Sequence, residues 1–200
     1  MWNGFNVFLK NIKNLFFYVI INKKIERKIN LRTHDFKNSI LGGIEGENLI
    51  KRFLETHNNV ISIEDVSNIR KYQDQDIDFI VKLKNSPNPV SIELKTDTYD
   101  SGNIFFETVS NKENNVPGCM YKSQANYLFY YFSKTKELYI FNFKEYVKWF
   151  EENRESFTLK IFKNINRKRN GTYTSEGYTI PKTFLEANLN PKFFKKYILT

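Results

Sequence analysis

Asp78, Glu93 and Lys95 are the residue types that hydrolysis of a phosphate ester requires, and their spacing can bring them together. Strand alternation in DIDFIVKL puts Asp78 on one face with Ile80, while Ile77, Phe79 and Val81 point the other way. In SIELKTD, Glu93, Lys95 and Asp97 share one face and Ile92 and Leu94 the other. The two runs are joined by KNSPNP, whose prolines and asparagines favour a tight connection, so antiparallel neighbours can set Asp78 against Glu93 and Lys95. Two carboxylates converging at a sheet edge repel each other and lose hydration. A hard divalent cation, Mg2+ or Mn2+, relieves that cost, because such ions take one or two carboxylates together with water and substrate phosphate. The cation would acidify a bound water and draw charge from the phosphate, with Lys95 orienting the water or stabilising the pentacovalent transition state. The bland alternative is an exposed cross-strand charge pair of Glu93 and Lys95. His57 reads as a solvated residue at a helix end rather than a proton donor.

Helical spacing of Phe5, Phe8, Ile12, Leu15, Phe16 and Val19 predicts an amphipathic N-terminal arm over residues 1–38, with the remaining 39–200 as one domain. The arm's uninterrupted apolar stretch is shorter than a membrane span needs, so no transmembrane segment is expected, and the arm is a candidate homodimer contact. After Gly42 and Gly43, IEGENLIKRFLETHN reads as a helix with Ile50, Phe53 and Leu54 facing the core. Strands are expected around 60–66, 77–83, 90–95 and 104–109, then a hairpin from YLFYYF and LYIFNF, and a helix from Lys144 to about Arg154. A strand at GYTIP and a short C-terminal helix follow. The order implies an α/β (α+β) domain around a central sheet.

The run IDFIVKLKNSPNPVSIELK resembles motifs II and III of the PD-(D/E)XK nuclease superfamily, and GENLIKRFLE is similar to its motif I helix. The resemblance covers roughly residues 40 to 135. It implies a restriction-endonuclease-like fold, a mixed central sheet flanked by helices, and Mg2+-dependent endonuclease activity. It implies further that the metal is held by Asp78, Glu93 and Leu94, the last able to offer only main-chain atoms, with Lys95 catalytic. An acid on the first core helix supports the metal or its waters in that family, and Glu47 is the matching position. Glu45 is its rival, since both flank the apolar face and periodicity does not choose. Lys122 and Gln124 stand where family members carry a group near the scissile phosphate, or else on a polar helix surface. Glu107 reads as an exposed strand glutamate, with a place near the metal as the other reading.

Thirty-one Lys plus Arg against twenty-two Asp plus Glu give a net charge of +9, which favours an anionic partner, nucleic acid first and DNA before RNA. The segment from Lys160 through Lys163, Arg167, Lys168 and Arg169 to Asn170-Gly171 is expected to form a basic loop that follows phosphates, or a solvated charge run. A single cysteine, Cys119, rules out an internal disulfide and, with only two histidines, argues against zinc. It fits a reducing, cytoplasmic setting. A non-catalytic nucleic-acid-binding protein that keeps the fold remains the alternative.

Overall fold

The computed structural model describes residues 36–99, 101–166 and 171–199, all within one compact unit, Arg32–Thr200. The expected amphipathic arm and its homodimer contact, with His34, lie outside the described residues, apart from the start of the first helix. That helix, α1 (Phe36–Glu55), begins well before the expected Ile44 and runs through Gly42 and Gly43. It ends on a turn in which Thr56 N donates to Arg52 O and His57 Nδ1 lies 2.9 Å from Phe53 O, so His57 closes the helix as expected. No helix among the described residues is long and apolar enough to cross a membrane.

From α1 the chain makes a meander of β1 (Val60–Asp65), β2 (Phe79–Leu83) and β3 (Val90–Asp97), with the one-turn helix α2 (Arg70–Gln73) between β1 and β2. Pairing is antiparallel, Asp65 opposite Phe79 and Phe79 opposite Ile92, as the KNSPNP connection requires. A crossover containing β4 (Asn103–Asn111), β5 (Val116–Pro117) and the one-turn helix α3 (Cys119–Lys122) returns the chain to β6 (Tyr127–Phe132), which lies parallel to β3. Asn126 fixes that register, because its carboxamide oxygen accepts from Ser91 N at 2.8 Å and its N–H donates to Ser91 O at 3.0 Å. The hairpin partner β7 (Glu137–Asn142) follows, then α4 (Phe143–Asn153), capped by the Asn142 side chain accepting from Glu145 N. With β10 (Phe194–Ile198) at one edge, the six-stranded mixed sheet has the order β1-β2-β3-β6-β7-β10.

Three expectations are corrected. The strand at 104–109 is β4, but it belongs with β8 (Thr158–Asn166) and β9 (Gly171–Pro181) to a second, four-stranded antiparallel sheet of order β5-β4-β9-β8 and not to the central one. The supposed basic loop is largely strand: Lys160 and Lys163 sit on β8 (Thr158–Asn166), which pairs with β9 (Gly171–Pro181) from Thr158 opposite Thr179 to Asn166 opposite Gly171. Cross-strand pairing along both strands outweighs the high polarity of the segment. The chain does not finish on a helix either, since α5 (Lys182–Asn188) is followed by β10 (Phe194–Ile198) on the edge of the central sheet beside β7.

The central sheet is covered differently on its two faces. Alternation sends Ile92 and Leu94 of β3, and Phe129 and Tyr131 of β6, toward Ile50 and Leu54 of α1. The opposite residues of β6, Leu128, Tyr130 and Phe132, join Ile104 and Phe106 of the second sheet and Tyr146 and Phe150 of α4 in the larger core. Among the described residues α1 alone therefore covers one face with helix, while the second sheet shares the other with α4. Phe106 stacks on Phe150 with ring centroids 3.6 Å apart, tying the second sheet to α4. Ile80 lies on this second face toward the β1 edge and is only half-buried.

Candidate metal centre

The β2–β3 register places Asp78, immediately before β2, level with Glu93 on β3. Its main chain is held on both sides: Asp78 N donates to Ile92 O and Asp78 O accepts from Val66 N, both at 2.9 Å. Its carboxylate turns to β3, where Oδ2 accepts from Leu94 N at 2.8 Å. The Leu94 side chain packs toward α1, so a metal could meet only its main chain. Glu93, on the other face of β3, is 4% exposed. Its Oε1 lies 2.8 Å from Lys95 Nζ, whose side chain is 39% exposed. The sequence-derived trio is thus brought together, and Glu93 is buried rather than part of an exposed charge pair.

The electrostatics are those of acids crowded together. Burial first, and then Asp78, push the Glu93 carboxyl up to about 8 against the pull of Lys95. Burial likewise raises Asp78, although the Leu94 N–H, Glu93 and Lys95 counteract it. For Lys95, burial opposes the charge, but the Glu93 and Glu107 carboxyls beside it outweigh it, so its pKa is raised and the ammonium persists. Cys119 is itself buried and its thiol is pushed up by burial, which makes it a poor nucleophile.

Glu45 and Glu47 differ in their position on α1. Glu45 is exposed, whereas Glu47 is half-buried and its carboxyl is raised by burial and then by Asp78 and Asp65. Gly46 makes this approach possible, because a Cβ there would stand 2.0 Å from Thr96 Oγ1 on β3. Only a residue without a side chain lets α1 come this close to β3.

Two neighbours come from the crossover. Lys122 Nζ pairs with Asp76 Oδ1 at 2.7 Å, and the Ser123 hydroxyl donates to Asp76 O at 2.8 Å. Gln124 N donates to Gln75 O, but the Gln124 side chain is exposed. Lys122 therefore reaches the loop leading into Asp78, with Gln124 beside it through its main chain. Asp76, which pushes both Asp78 and Glu93 up, went unnoticed in the sequence. Its signal in the sequence is only closeness: in DQDID it stands two residues before Asp78, in the turn that leads toward β2. Glu107 is also not the exposed glutamate expected. It is half-buried on β4, accepts from Cys119 N at 3.3 Å and acts on Lys95. Gly118 allows that contact, since a Cβ on it would lie 2.3 Å from Glu107 O.

Lys95 also lines a cleft of about 380 Å3 between the two sheets, together with Asp97, Glu107, Tyr130, Phe162 and Tyr173. Its floor is braced by the buried Tyr130 hydroxyl, which accepts from Phe105 N and donates to Asp97 Oδ2, both at 3.2 Å. Arg167, Lys168 and Arg169 lie outside the described residues. Among the described residues no group of three or more His, Cys, Asp or Glu side chains forms a ready cation cage. What the chain offers is a pair of apposed carboxyls with further acids around them, a donor set suited to Mg2+ or Mn2+ that keeps water and phosphate as its other ligands. Comparison with protein-family models, curated proteins and solved structures gives no match to this chain.

Proposed function

We propose that this protein is a metal-dependent nuclease of the PD-(D/E)XK type, hydrolysing phosphodiester bonds in nucleic acid, with DNA the expected polymer. The observation that carries the reading is the buried Glu93, its carboxyl raised to about 8 although Lys95 lies 2.8 Å away. A carboxyl so unfavourable when charged, level with a second acid, is poorly explained as a structural ion pair. It is well explained as half of a cation site. The architecture supports the same reading in outline: a mixed central sheet with helix packed on it is what the resemblance implies.

Asp78 and Glu93 would hold Mg2+ or Mn2+, with Leu94 limited to a main-chain contact and Glu47 positioned to support bound water. The cation would supply Lewis acidity to the phosphate and a more acidic water. Lys95, kept charged by its acidic surroundings, stabilises negative charge building on the phosphoryl oxygens. Lys122, paired with Asp76, holds the loop before Asp78 and adds positive charge beside the acids. Among the described residues the one histidine, His57, closes α1, so the leaving oxygen would take its proton from solvent.

The test is incubation with single-stranded, duplex and branched DNA and with RNA, with and without Mn2+, using the wild type, Lys95→Ala and Asp78→Asn. Each substitution should cost at least about 100-fold in rate, and the double variant little more, because residues acting as a unit are not additive. Near-native cleavage by Lys95→Ala refutes the assignment. The second reading, a non-catalytic nucleic-acid-binding protein, draws on the close Lys95–Glu93 pair, which already neutralises part of the site. Calorimetry showing no Mg2+ or Mn2+ binding that depends on Asp78 and Glu93 would favour it.

A further inference from the structure

The cleft between the sheets is built for something narrower than a double helix. Its 380 Å3 falls within the roughly 300–1,000 Å3 of small-molecule sites. One wall is aromatic: Phe105 of β4 and Phe162 of β8 meet edge to face with centroids 5.3 Å apart, and Tyr173 of β9 lies beyond them. Phe162 and Tyr173 are half-buried rather than enclosed in the core. The same wall carries amide and hydroxyl groups, since Asn164 Nδ2 donates to Ser175 Oγ at 2.9 Å and both residues line the cleft. At its inner end is Lys95, the cation of the candidate centre. Alternation along β8 puts Lys160 on the same face as Phe162 and Asn164, so an exposed cation stands in line with the ring and the amide. A cation, aromatic rings and hydrogen-bonding groups in sequence is the chemistry that holds an unstacked nucleotide, with phosphate on the cation and base on the ring.

Resting on the hydrolytic reading of Asp78, Glu93 and Lys95, we infer that this cleft takes a single unstacked base, so that the substrate strand is single-stranded or locally splayed nucleic acid rather than intact duplex. The charge of the chain brings the polymer in, and the aromatic wall selects the strand whose bases are free to leave the stack. The second sheet thereby acquires a role that its place outside the central sheet does not otherwise give it.

The full chain is assayed in Ca2+, which holds substrate without turnover, by fluorescence anisotropy with an oligonucleotide and with its duplex form. A 2-aminopurine placed in the strand reports stacking directly. The wild type should bind the single strand more tightly than the duplex and quench 2-aminopurine. Phe162→Ala and Tyr173→Ala should each weaken single-strand binding by about ten-fold or more and relieve the quenching, leave duplex binding unchanged, and melt at near-wild-type temperature. Tyr173→Phe, which keeps the ring, should retain affinity. If Phe162→Ala fails to fold, Asn164→Asp, which adds negative charge to the wall without removing a ring, should produce the same selective loss. Equal loss for single strand and duplex, or no loss for either, overturns the inference. Cleavage that needs Lys95 but ignores Phe162 and Tyr173 rejects the base pocket alone. Selective single-strand binding without any metal-dependent cleavage rejects the nuclease reading and leaves the pocket standing.

Discussion

Glu93→Gln gives a way to read the candidate centre without any substrate. Burial raises the Glu93 carboxyl from 4.5 to about 8, so the folded protein holds a proton there more tightly than the unfolded chain does. Stability from this group is complete below pH 4.5 and is lost progressively as the pH climbs toward 8. At about 1.4 kcal/mol per pH unit, the loss approaches roughly 5 kcal/mol once the group is ionised. That is a large part of the roughly 5–15 kcal/mol that holds a typical domain together. For a chain of this size about 1 kcal/mol moves Tm by roughly 2–4 °C, so chelator-treated wild type should melt about 10 °C or more lower at pH 8.5 than at pH 5. Glutamine has the same shape and no charge. Glu93→Gln should therefore flatten the profile and melt above the wild type at pH 8.5, with Lys95, 39% exposed, turning its ammonium to water. Added Mn2+ should raise the wild-type Tm more at pH 8 than at pH 6, because bound cation favours the ionised carboxyl, and should not stabilise Glu93→Gln. Differential scanning calorimetry across pH, with and without Mn2+, decides it. Parallel pH profiles for the two proteins, or equal metal stabilisation of both, would refute the assignment of strain and cation to Glu93.

Glu47→Gln should lower Mn2+ affinity by about 10–100-fold, as loss of a group supporting a metal's surroundings typically does, whereas Glu45→Gln, on an exposed position, should leave it unchanged; isothermal titration measures both. Leu94→Asp places a charge beneath α1 and should cost several kcal/mol, on the order of the fold's stability, while Ile80→Asp, at a half-buried position, should melt within a few degrees of wild type. Gly46→Ala sets a methyl 2.0 Å from Thr96 Oγ1, and the overlap should cost about 1–3 kcal/mol, partly offset by the roughly 1 kcal/mol that alanine gains over glycine in a helix. Adding Thr96→Ala should restore melting in that background, since it removes both the overlap and a buried hydroxyl that has no hydrogen-bond partner among the described residues; failure to recover would mean that α1 does not sit on β3 through this contact.

The residues of the candidate centre were legible because strand parity and a short turn are local properties. Asp78 and Glu93 come into register through one hairpin, and KNSPNP announces that hairpin without reference to the rest of the chain. The parallel pairing of β3 with β6, and the hairpin that follows it, rest on longer connections that sequence patterning gives only in outline. Between Glu45 and Glu47 the pattern was silent for a physical reason. Both flank the apolar stripe, and their different burial follows from how α1 lies on β3, which involves a contact between Gly46 and Thr96 fifty residues away along the chain.

The second sheet was not legible, because each of its strands has a reading that is reasonable by itself. Ile104 to Val109 looks like one more strand of the central sheet, and KIFKNINRKRNG looks like a basic loop, since lysines and asparagines hide the alternation that Phe162 and Asn164 keep. Only their mutual pairing, β4 with β9 and β9 with β8, makes them a sheet, and that pairing is long-range. The same blindness explains Glu107. On a lone strand its carboxylate would face water, but the second sheet packs over the central one, and Gly118 brings α3 against β4 so that Glu107 takes the Cys119 N–H and acts on Lys95. The acids crowding the centre thus come from both sheets and from α1, and the difficulty that Glu93, Asp78 and Glu47 have in ionising is the property a divalent cation would relieve. Lys95 is the residue common to both parts: paired with Glu93 on one side and lining the cleft on the other, it joins the groups suited to holding a cation to the walls suited to holding a base.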